Sequence, residues 1–200
     1  MSKLYFKFGA MGSSKTANAL MTVFNYEEKG NCVLLLKPSI DTRDDATDVE
    51  GRRIAVVKSR IGLYNTANVI EPNDNVRQYV EDLLKTKQID VIVCDECQFF
   101  TEEQIDQFKY IAEYKNIPVL CFGLRSDFQT KLFPGSKRLF EIADSISEIK
   151  SVCKCGSKAI VNARRDAVGN VITEGEQVEI GGNEKYEAMC WKCWNDLKAN

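Results

Sequence analysis

The stretch that most constrains the fold is residues 4–16, which read LYFKFGAMGSSKT. The first five of these residues are mostly apolar and β-prone, and they predict a buried strand. Gly9 then opens a glycine- and serine-rich loop that ends at Lys15 and Thr16. Residues 17–29 follow with apolar side chains at helical spacing. A strand, a glycine-rich loop, a Lys-Thr pair and a helix, in this order, are the context of a phosphate-binding loop.

Such a loop binds a phosphate chain through backbone N–H groups at the start of a helix. Lys15 can reach the β- and γ-phosphates of ATP, and the Thr16 hydroxyl can ligate Mg²⁺. One position departs from the consensus G-x-x-x-x-G-K-[ST], because Ser14 precedes the lysine where glycine is expected. Serine fits there only with a negative φ or in a strained loop. A glycine- and serine-rich turn that happens to precede Lys-Thr is the alternative interpretation. The predicted ATP-binding residues of the loop are Gly9, Ala10, Met11, Gly12, Ser13, Ser14, Lys15 and Thr16.

Length and composition limit the class of protein. Two hundred residues fit one ordinary domain plus a small appendage, and 44% hydrophobic residues are enough for a core. The net charge of −2 argues against a broad nucleic-acid-binding surface. No apolar run approaches the length of a membrane span, and the N-terminus lacks the features of a secretion signal. We therefore expect a cytoplasmic protein that binds neither nucleic acid nor membranes.

Eight cysteines and no histidine restrict the chemistry further. In a reducing compartment the cysteines are thiols or metal ligands rather than disulfides. Because histidine is absent, a metal ligand, a general base or the partner of a nucleophile must come from Cys, Asp, Glu, Lys or Tyr.

Strands and helices alternate along the first three quarters of the chain. Further strands are predicted at 31–37, 54–57, 89–94, 118–123 and 147–152, and further helices at 74–87, 101–114 and 137–143. Asn73 or Asp74 could cap the first of these helices, and Thr101 with Gln104 resembles a capping box. Composition predicts a solvated, mobile loop at 39–53, and residues 59–62 predict a turn. The alternation predicts an α/β protein with a doubly wound, mainly parallel sheet over residues 1–150 and a small second domain over residues 151–200.

Two acidic residues follow the apolar strand at 89–94. Asp95 and Glu96 would lie at the carboxyl end of a parallel strand, where α/β sheets place their ligands. Asp95 could hold Mg²⁺ through water, and Glu96 would be free to act as a base. Acidic strand ends are also common solvated turns, but the phosphate loop some 80 residues earlier strengthens the functional interpretation.

The tail contains two close pairs of cysteines. Cys153 and Cys155 form a C-x-C pair, and Cys190 and Cys193 form a C-x-x-C pair. Four thiolates in two pairs match a structural tetrahedral zinc site. Four reduced cysteines are the alternative, although a 50-residue appendage has too small a core to be stable without a cross-link such as a bound metal.

From the residues alone, two kinds of ATP-using protein compete. One is a small-molecule kinase, and the other is an ATPase that acts on nucleic acid through a zinc ribbon. Basic residues of the tail are balanced by acidic ones, and 200 residues leave little room for a motor's channel. A nucleotide-binding regulator without catalysis is a third class, against which Glu96 argues. Phe128 and Phe133 could be core anchors or the walls of a pocket.

Several motifs occur together and in order. They are the loop Gly9 to Thr16, Asp41-Thr-Arg43, Ser59-Arg-Ile-Gly62, Asp95-Glu-Cys-Gln-Phe-Phe100, Gly123-Leu-Arg-Ser-Asp-Phe128, the two cysteine pairs and Ile180-Gly-Gly-x-x-x-Tyr186. The combination covers nearly the whole chain and resembles the type II thymidine kinases. The C-x-C pair is similar to a bacterial branch of that family. Ser14 departs from the family pattern, and the position of Cys97 is glycine in many relatives.

The resemblance implies a P-loop (RecA-like) kinase fold with a small zinc-bound domain that carries a lasso over the base. The implied reaction moves the γ-phosphate of ATP to the 5′-hydroxyl of thymidine, with deoxyuridine as a further candidate substrate, and gives dTMP for nucleotide salvage. Glu96 would take the proton from that hydroxyl, Thr16 and Asp95 would hold Mg²⁺, and Arg60 would balance phosphoryl charge. Asp95, Glu96, Cys97 and Gln98 would complete the ATP site. The implied nucleoside-binding residues are Leu124, Phe128, Phe133, Val178, Glu179, Ile180, Gly181, Gly182 and Tyr186.

The resemblance also implies a homotetramer and feedback inhibition by dTTP. The zinc would be structural, held by Cys153, Cys155, Cys190 and Cys193. Because the lasso lies between the two cysteine pairs, we expect loss of the metal to impair nucleoside binding while the phosphate loop still binds ATP.

Overall fold

A computed structural model describes residues 2–166, 168–177 and 185–198. A six-stranded parallel sheet with helices on both faces is followed by small antiparallel sheets. The strands are β1 (Leu4–Phe8), β2 (Val33–Pro38), β3 (Ala46–Thr47), β4 (Arg53–Ile54), β5 (Val56–Lys58), β6 (Tyr64–Thr66), β7 (Asn68–Ile70), β8 (Val91–Cys94), β9 (Val119–Gly123), β10 (Ser145–Glu148), β11 (Ser151–Val152), β12 (Lys158–Ala159), β13 (Val161–Arg165), β14 (Val171–Ile172) and β15 (Tyr186–Met189). The helices are α1 (Lys15–Glu27), α2 (Val76–Leu84), α3 (Glu102–Tyr114), α4 (Pro134–Ile142) and α5 (Trp191–Lys198), with a 3₁₀ helix at Cys97–Phe99.

The order of strands in the main sheet is β10-β1-β9-β8-β2-β7, and every neighbouring pair is parallel. The chain leaves β1 through the glycine-rich loop and enters α1 at Lys15. The carboxyl ends of β1, β8 and β9 therefore meet at one edge, where the loops that follow them converge. This confirms the predicted α/β class with a central parallel sheet.

Both faces of this sheet are covered, which explains why its inner strands are continuous apolar runs. On β2, Leu34 and Leu36 belong to the core under α2, α3 and α4, whereas Leu35 belongs to the core under α1. Each is almost fully buried. Burying one leucine side chain stabilises the fold by about 1.5–3 kcal/mol.

The residues that cap the starts of α3 and α2 can be compared with their predictions, and only the first agrees. Thr101 and Gln104 form the predicted capping box at the start of α3. The cap of α2 is Asn75, whose side chain accepts from Gln78 N at 2.9 Å, so the prediction of Asn73 or Asp74 is wrong. Asp74 instead accepts from Glu71 N at 2.8 Å and closes the preceding turn.

Three of the predicted segments differ in detail from the structure. The predicted strand 54–57 is divided between β4 and β5, which belong to separate hairpins. Residues 39–53 are not wholly a loop, because β3 and β4 form a short antiparallel hairpin there. The last strand of the main sheet is β10 rather than 147–152, and the later residues of that prediction form β11 in a separate sheet. The short parallel strand β7 at the sheet edge was not predicted.

Residues 151–198 as described form what we call the C-terminal unit. It contains a two-stranded sheet, a three-stranded sheet in the order β14-β13-β15, and α5. Its core consists of Cys153, Ala159, Val161, Ala163, Met189, Cys190 and Trp194, and this core also includes Ala10 of the phosphate loop. The unit thus packs directly against that loop. Among the described residues, no helix is both long and apolar enough to cross a membrane.

Candidate active site

A cavity of about 540 Å³ opens at the carboxyl edge of the sheet. It is lined by the phosphate loop, the end of β8, the loop after β9 and the C-terminal unit. The predicted site residues that line it are Met11, Gly12, Ser14, Lys15, Thr16, Arg60, Glu96, Gln98, Leu124, Phe128, Phe133 and Tyr186. Val178, Glu179, Ile180, Gly181 and Gly182, which were expected to cover the base, lie outside the described residues.

The predicted phosphate loop connects β1 to α1, and its backbone is strained at Ser14. Ser14 has φ 62°, a left-handed backbone that favours glycine. Lys15 folds back over the loop, and its Nζ donates to Ala10 O at 2.9 Å. Burial lowers the pKa of Lys15, and the nearby carboxylates of Glu96 and Asp95 oppose that shift. The ammonium therefore lies inside the loop, where a phosphate group would replace the carbonyl.

Gly9 meets a close approach of the backbone. A Cβ at this position would lie 2.4 Å from Ile149 O and 2.4 Å from Ser13 Oγ. Because no side chain fits there, glycine is required by space rather than by an unusual φ. The start of the phosphate loop is thereby held against the chain that leaves β10.

The two predicted magnesium ligands are in contact. The side chains of Thr16 and Asp95 share a hydrogen bond, which favours the ionised form of Asp95. Burial and the neighbouring Glu96 outweigh this effect and raise the pKa of Asp95 to about 7. A divalent cation between these oxygens would stabilise the charged form and offset that cost. Asp95 is buried and does not line the cavity, and the same holds for Gly9, Ala10 and Ser13.

Glu96, the predicted base, is held by both of its carboxylate oxygens. Arg43 Nη2 donates to Oε1 at 2.5 Å, and Gln98 Nε2 donates to Oε2 at 2.5 Å. The backbone of Glu96 is left-handed, with φ 50°. Gln98 in turn accepts from Leu124 N at 2.9 Å, which connects the base to the acceptor side of the cavity. The bonds from Arg43 and Gln98 fix the orientation of the carboxylate.

Arg43 is the main residue of this arrangement that the sequence analysis left without a role. Its Nε donates to Asp41 Oδ1 at 2.7 Å, so one guanidinium joins Asp41 to Glu96. The charge of Glu96 is the chief cause that raises the pKa of Arg43. Behind Asp41, the fully buried Lys37 places its Nζ 3.5 Å from Asp41 Oδ2 and 2.9 Å from Asp45 Oδ1. Charges of alternating sign thus extend from the core to the base.

The position of Arg60 fits the predicted balance of phosphoryl charge. Ser59 and Leu63 bond backbone to backbone across the predicted turn, which lies at the tip of the β5–β6 hairpin. Arg60 Nη1 lies 3.9 Å from the place where a Cβ on Gly12 would stand. Two cations, Arg60 and Lys15, therefore flank the phosphate loop.

Aromatic side chains form the opposite wall of the cavity. Phe128 and Phe133 are both buried and both line it, so they serve as core anchors and as pocket walls at once. Phe99, which had no predicted role, packs edge-on against Phe133 with ring centroids 5.5 Å apart. Gln177 Nε2 donates to Asp127 Oδ2 at 2.8 Å and fixes the end of the segment that precedes residue 178. The lining residues to which the sequence analysis gave no role include Ile40, Asp41, Arg43, Phe99, Ser126, Asp127, Asn162 and Gln177.

A further predicted ATP-binding residue, Cys97, also lies away from the cavity lining. The Cys97 side chain is fully buried in the main core and does not line the cavity. A Cβ built on Gly123 would lie 2.6 Å from its Sγ, so the thiol packs under β9. Cys97 is the first residue of the 3₁₀ helix that follows Glu96.

The four tail cysteines form a cluster within the C-terminal unit. The Sγ atoms of Cys153, Cys155, Cys190 and Cys193 all lie within 4.8 Å of one another, and those of Cys155 and Cys190 are 3.6 Å apart. Zinc–thiolate bonds of about 2.3 Å in a tetrahedron give sulfur–sulfur distances of about 3.8 Å. The donor set and its dimensions therefore fit a closed tetrahedral metal site.

A phosphate loop after β1, the Asp95-Glu96 pair at the end of β8 and a pocket with aromatic walls, all at the same edge of the sheet, define an α/β phosphotransferase class of site. The model of the thymidine kinase family matches residues 2–194, and the chain belongs to that family. A thymidine kinase of Shewanella oneidensis is 42% identical over 197 residues, which cover 98% of each chain. The thymidine kinase of Enterobacteria phage T4 is 42% identical over 98% of this chain and 97% of its own. One from Ruegeria pomeroyi is 40% identical over 98% of this chain and 95% of its own.

Proposed function

We propose that this protein is a thymidine kinase that transfers the γ-phosphate of ATP to the 5′-hydroxyl of thymidine. The observation that carries the proposal is the position of Glu96. This carboxylate lies in one cavity with the phosphate loop on one side and an aromatic pocket on the other. The curated relatives described above, matched along almost their whole length, are thymidine kinases.

The ATP side of the proposal rests on the phosphate loop. Backbone N–H groups of residues 9–16 and the N-terminus of α1 would hold the β- and γ-phosphates. Lys15 and Arg60 would balance the charge of the transferring phosphoryl group. Thr16 and Asp95 would hold Mg²⁺, and the backbone from Asp95 to Gln98, which includes Cys97, would shape the floor of the ATP site.

On the acceptor side, Glu96 would take the proton of the 5′-hydroxyl as its oxygen attacks the γ-phosphate. The bonds from Arg43 and Gln98 hold both carboxylate oxygens in place for that step. Leu124, Phe128, Phe133 and Tyr186 would surround the thymine, and the segment 178–182 would cover it. A pocket walled by these side chains suits a flat pyrimidine.

The remaining expectations are part of the same proposal. Four cysteines would hold one structural Zn²⁺, since a complete thiolate set leaves no open position for water. Half-exposed Met21 and Phe24, 50% and 62% exposed on the outer face of α1, would support self-association into a homotetramer. Inhibition by dTTP would follow if its base and phosphates bridge the two halves of the cavity. A cytoplasmic location fits the eight cysteines, all of which lie in the described part of the chain and none of which forms a disulfide there.

The test is an assay of the purified protein with ATP and Mg²⁺ against a panel of nucleosides. We expect phosphate transfer to thymidine, weaker transfer to deoxyuridine and none to purine nucleosides. ATP hydrolysis that requires added DNA or RNA, without any nucleoside phosphorylation, would contradict the proposal and favour a nucleic-acid ATPase.

A further inference from the structure

Asn162 is a buried polar residue that joins both halves of the cavity. It lies on β13 in the C-terminal unit and is only 3% exposed. Its Oδ1 accepts from Met11 N of the phosphate loop at 2.7 Å. Its Nδ2 donates to Ser126 O, in the loop after β9, at 2.8 Å. One amide group on β13 thus contacts two loops that are far from it, and from each other, in sequence.

The two partners require opposite hydrogen-bonding abilities. A backbone N–H needs an acceptor and a backbone C=O needs a donor, which fixes the orientation of the amide. Aspartate could accept from Met11 but could not donate to Ser126, and leucine of similar size could do neither. A buried backbone group left without a partner costs free energy, so either change should be felt in the loop concerned.

We propose that Asn162 is a positioning residue that sets the phosphate loop and the acceptor loop relative to each other. This inference rests on the proposed function, because it treats the two loops as the ATP and nucleoside sides of one active site. Asn162 holds Met11 so that the loop amides keep the geometry a phosphate chain needs. It holds Ser126 two residues before Phe128, which lines the acceptor pocket.

The packing around Asn162 supports this role. Ala10, next to Met11, belongs to the core of the C-terminal unit. On the acceptor side, Asp127 next to Ser126 accepts from Gln177 of the same unit. Each loop therefore contacts the C-terminal unit beside its bond to Asn162, which makes that unit the common frame of both.

The experiment compares three variants with the wild type. Asn162→Leu removes both hydrogen bonds, Asn162→Asp removes the donor alone, and Val161→Ala is the matched control. Val161 is equally buried on the same strand, but its side chain belongs to the apolar core. The control therefore loses stability without losing either bond to the loops. Binding of a non-hydrolysable ATP analogue with Mg²⁺ and binding of thymidine are titrated separately for each protein.

A second readout reports the hydrogen bond itself. The chain has four methionines, so selective ¹⁵N-methionine labelling gives an amide spectrum simple enough to follow Met11. The Met11 resonance should move in Asn162→Leu, because its acceptor is lost. It should stay near its wild-type position in Asn162→Asp and in Val161→Ala.

We expect Asn162→Leu to weaken binding of both ligands about tenfold. Asn162→Asp should weaken thymidine binding, and Val161→Ala should leave both affinities within about twofold while lowering the melting temperature. Wild-type affinities in Asn162→Leu, or equal losses in Val161→Ala, would overturn the positioning role. If the wild type binds neither ligand, the proposed function fails instead, so the two failures are distinguishable.

Discussion

Two residues of the site, Ser14 and Glu96, have a left-handed backbone that is unfavourable for residues other than glycine. Such conformations cost on the order of 1–3 kcal/mol each and persist where the surrounding structure holds them. At Glu96, both carboxylate oxygens accept hydrogen bonds. These bonds offset the backbone strain and fix the orientation of the side chain. At Ser14 the structure shows no side-chain capping bond that would compensate it.

Ser14→Gly is therefore expected to relieve strain without loss of activity. Stability should rise by about 0.5–1 kcal/mol, which corresponds to about 1–4 °C in melting temperature for a chain of this size. Thermal unfolding and kcat measure the two effects. Ser13→Gly is the control, because Ser13 has no left-handed backbone and its Oγ lies 3.4 Å from Lys15 Nζ. A lower melting temperature, or loss of activity, in Ser14→Gly would contradict the interpretation that the backbone at Ser14 is strained.

Glu96→Gln tests the general base. Glutamine keeps the shape of the side chain but cannot accept the proton, so kcat for thymidine phosphorylation should fall about 10²–10⁴-fold with little change in ATP binding. Glu103→Gln, an exposed change at the start of α3, is the matched control and should have normal kcat. Near-wild-type turnover in Glu96→Gln would show that another group takes the proton.

At the scale of elements, the local signals predicted most of the main sheet. Apolar runs bounded by loops gave the inner strands, and Thr101 with Gln104 gave the start of α3. These elements are specified by residues within a few positions of one another. Removal of one such signal should have a measurable and local cost.

Thr101→Ala should destabilise the protein by about 0.5–2 kcal/mol, because Gln104 N loses its partner at the start of α3. Chemical denaturation measures the change in free energy of unfolding. The slope of that free energy against denaturant concentration should be the same as in the wild type. Thr173→Ala, at an exposed position outside any helix, is the control and should change stability little. A loss in Thr101→Ala no greater than in the control would mean that the cap contributes nothing here.

What the sequence could not predict depends on distant contacts. The edge strand β7 has three residues, too few for a periodic pattern, and it forms because β2 offers a free side. The β3–β4 hairpin follows from Asp45, which accepts from buried Lys37 and from Val56 N. Asn162 lies 151 residues from Met11, so no local pattern shows their contact. The charged and aromatic residues at strand ends were visible in sequence, but Arg43 acquires its role only when folding brings it to Glu96.

At the scale of the whole molecule, the C-terminal unit contacts the phosphate loop, which its sequence does not suggest. The expectation that metal loss would spare ATP binding treats residues 1–150 as a self-sufficient nucleotide site. Ala10 in the core of the unit and Met11 bound to Asn162 argue against that independence. Damage to the cysteine cluster should therefore reach both ligand sites.

Cys190→Ser should lower the zinc content below one ion per chain and weaken binding of thymidine and of the ATP analogue alike, by about tenfold or more. Metal analysis and the two separate titrations are the measurements. Cys32→Ser, an exposed cysteine outside the cluster, is the control and should keep its metal and both affinities. Absence of zinc from the wild type would favour the alternative that the cluster consists of four reduced thiols. Intact ATP binding in a zinc-free variant would support the expectation that metal loss spares the nucleotide site.

The strand order also governs how the chain can fold while it is being synthesised. The neighbours of β1 are β9 and β10, so Leu4 pairs with Val119 and Tyr5 with Ser145. At about 5–20 residues per second, the ribosome needs roughly 6–23 s to extend the chain by the 115 residues from Leu4 to Val119. During that time an apolar strand has no partner in the sheet, which is a hazard for aggregation. Nascent chains arrested before β9 has emerged should leave this strand open to protease, and protection at that length would contradict the inference. The phosphate loop is thus among the first parts of the protein to be made and among the last to take its shape.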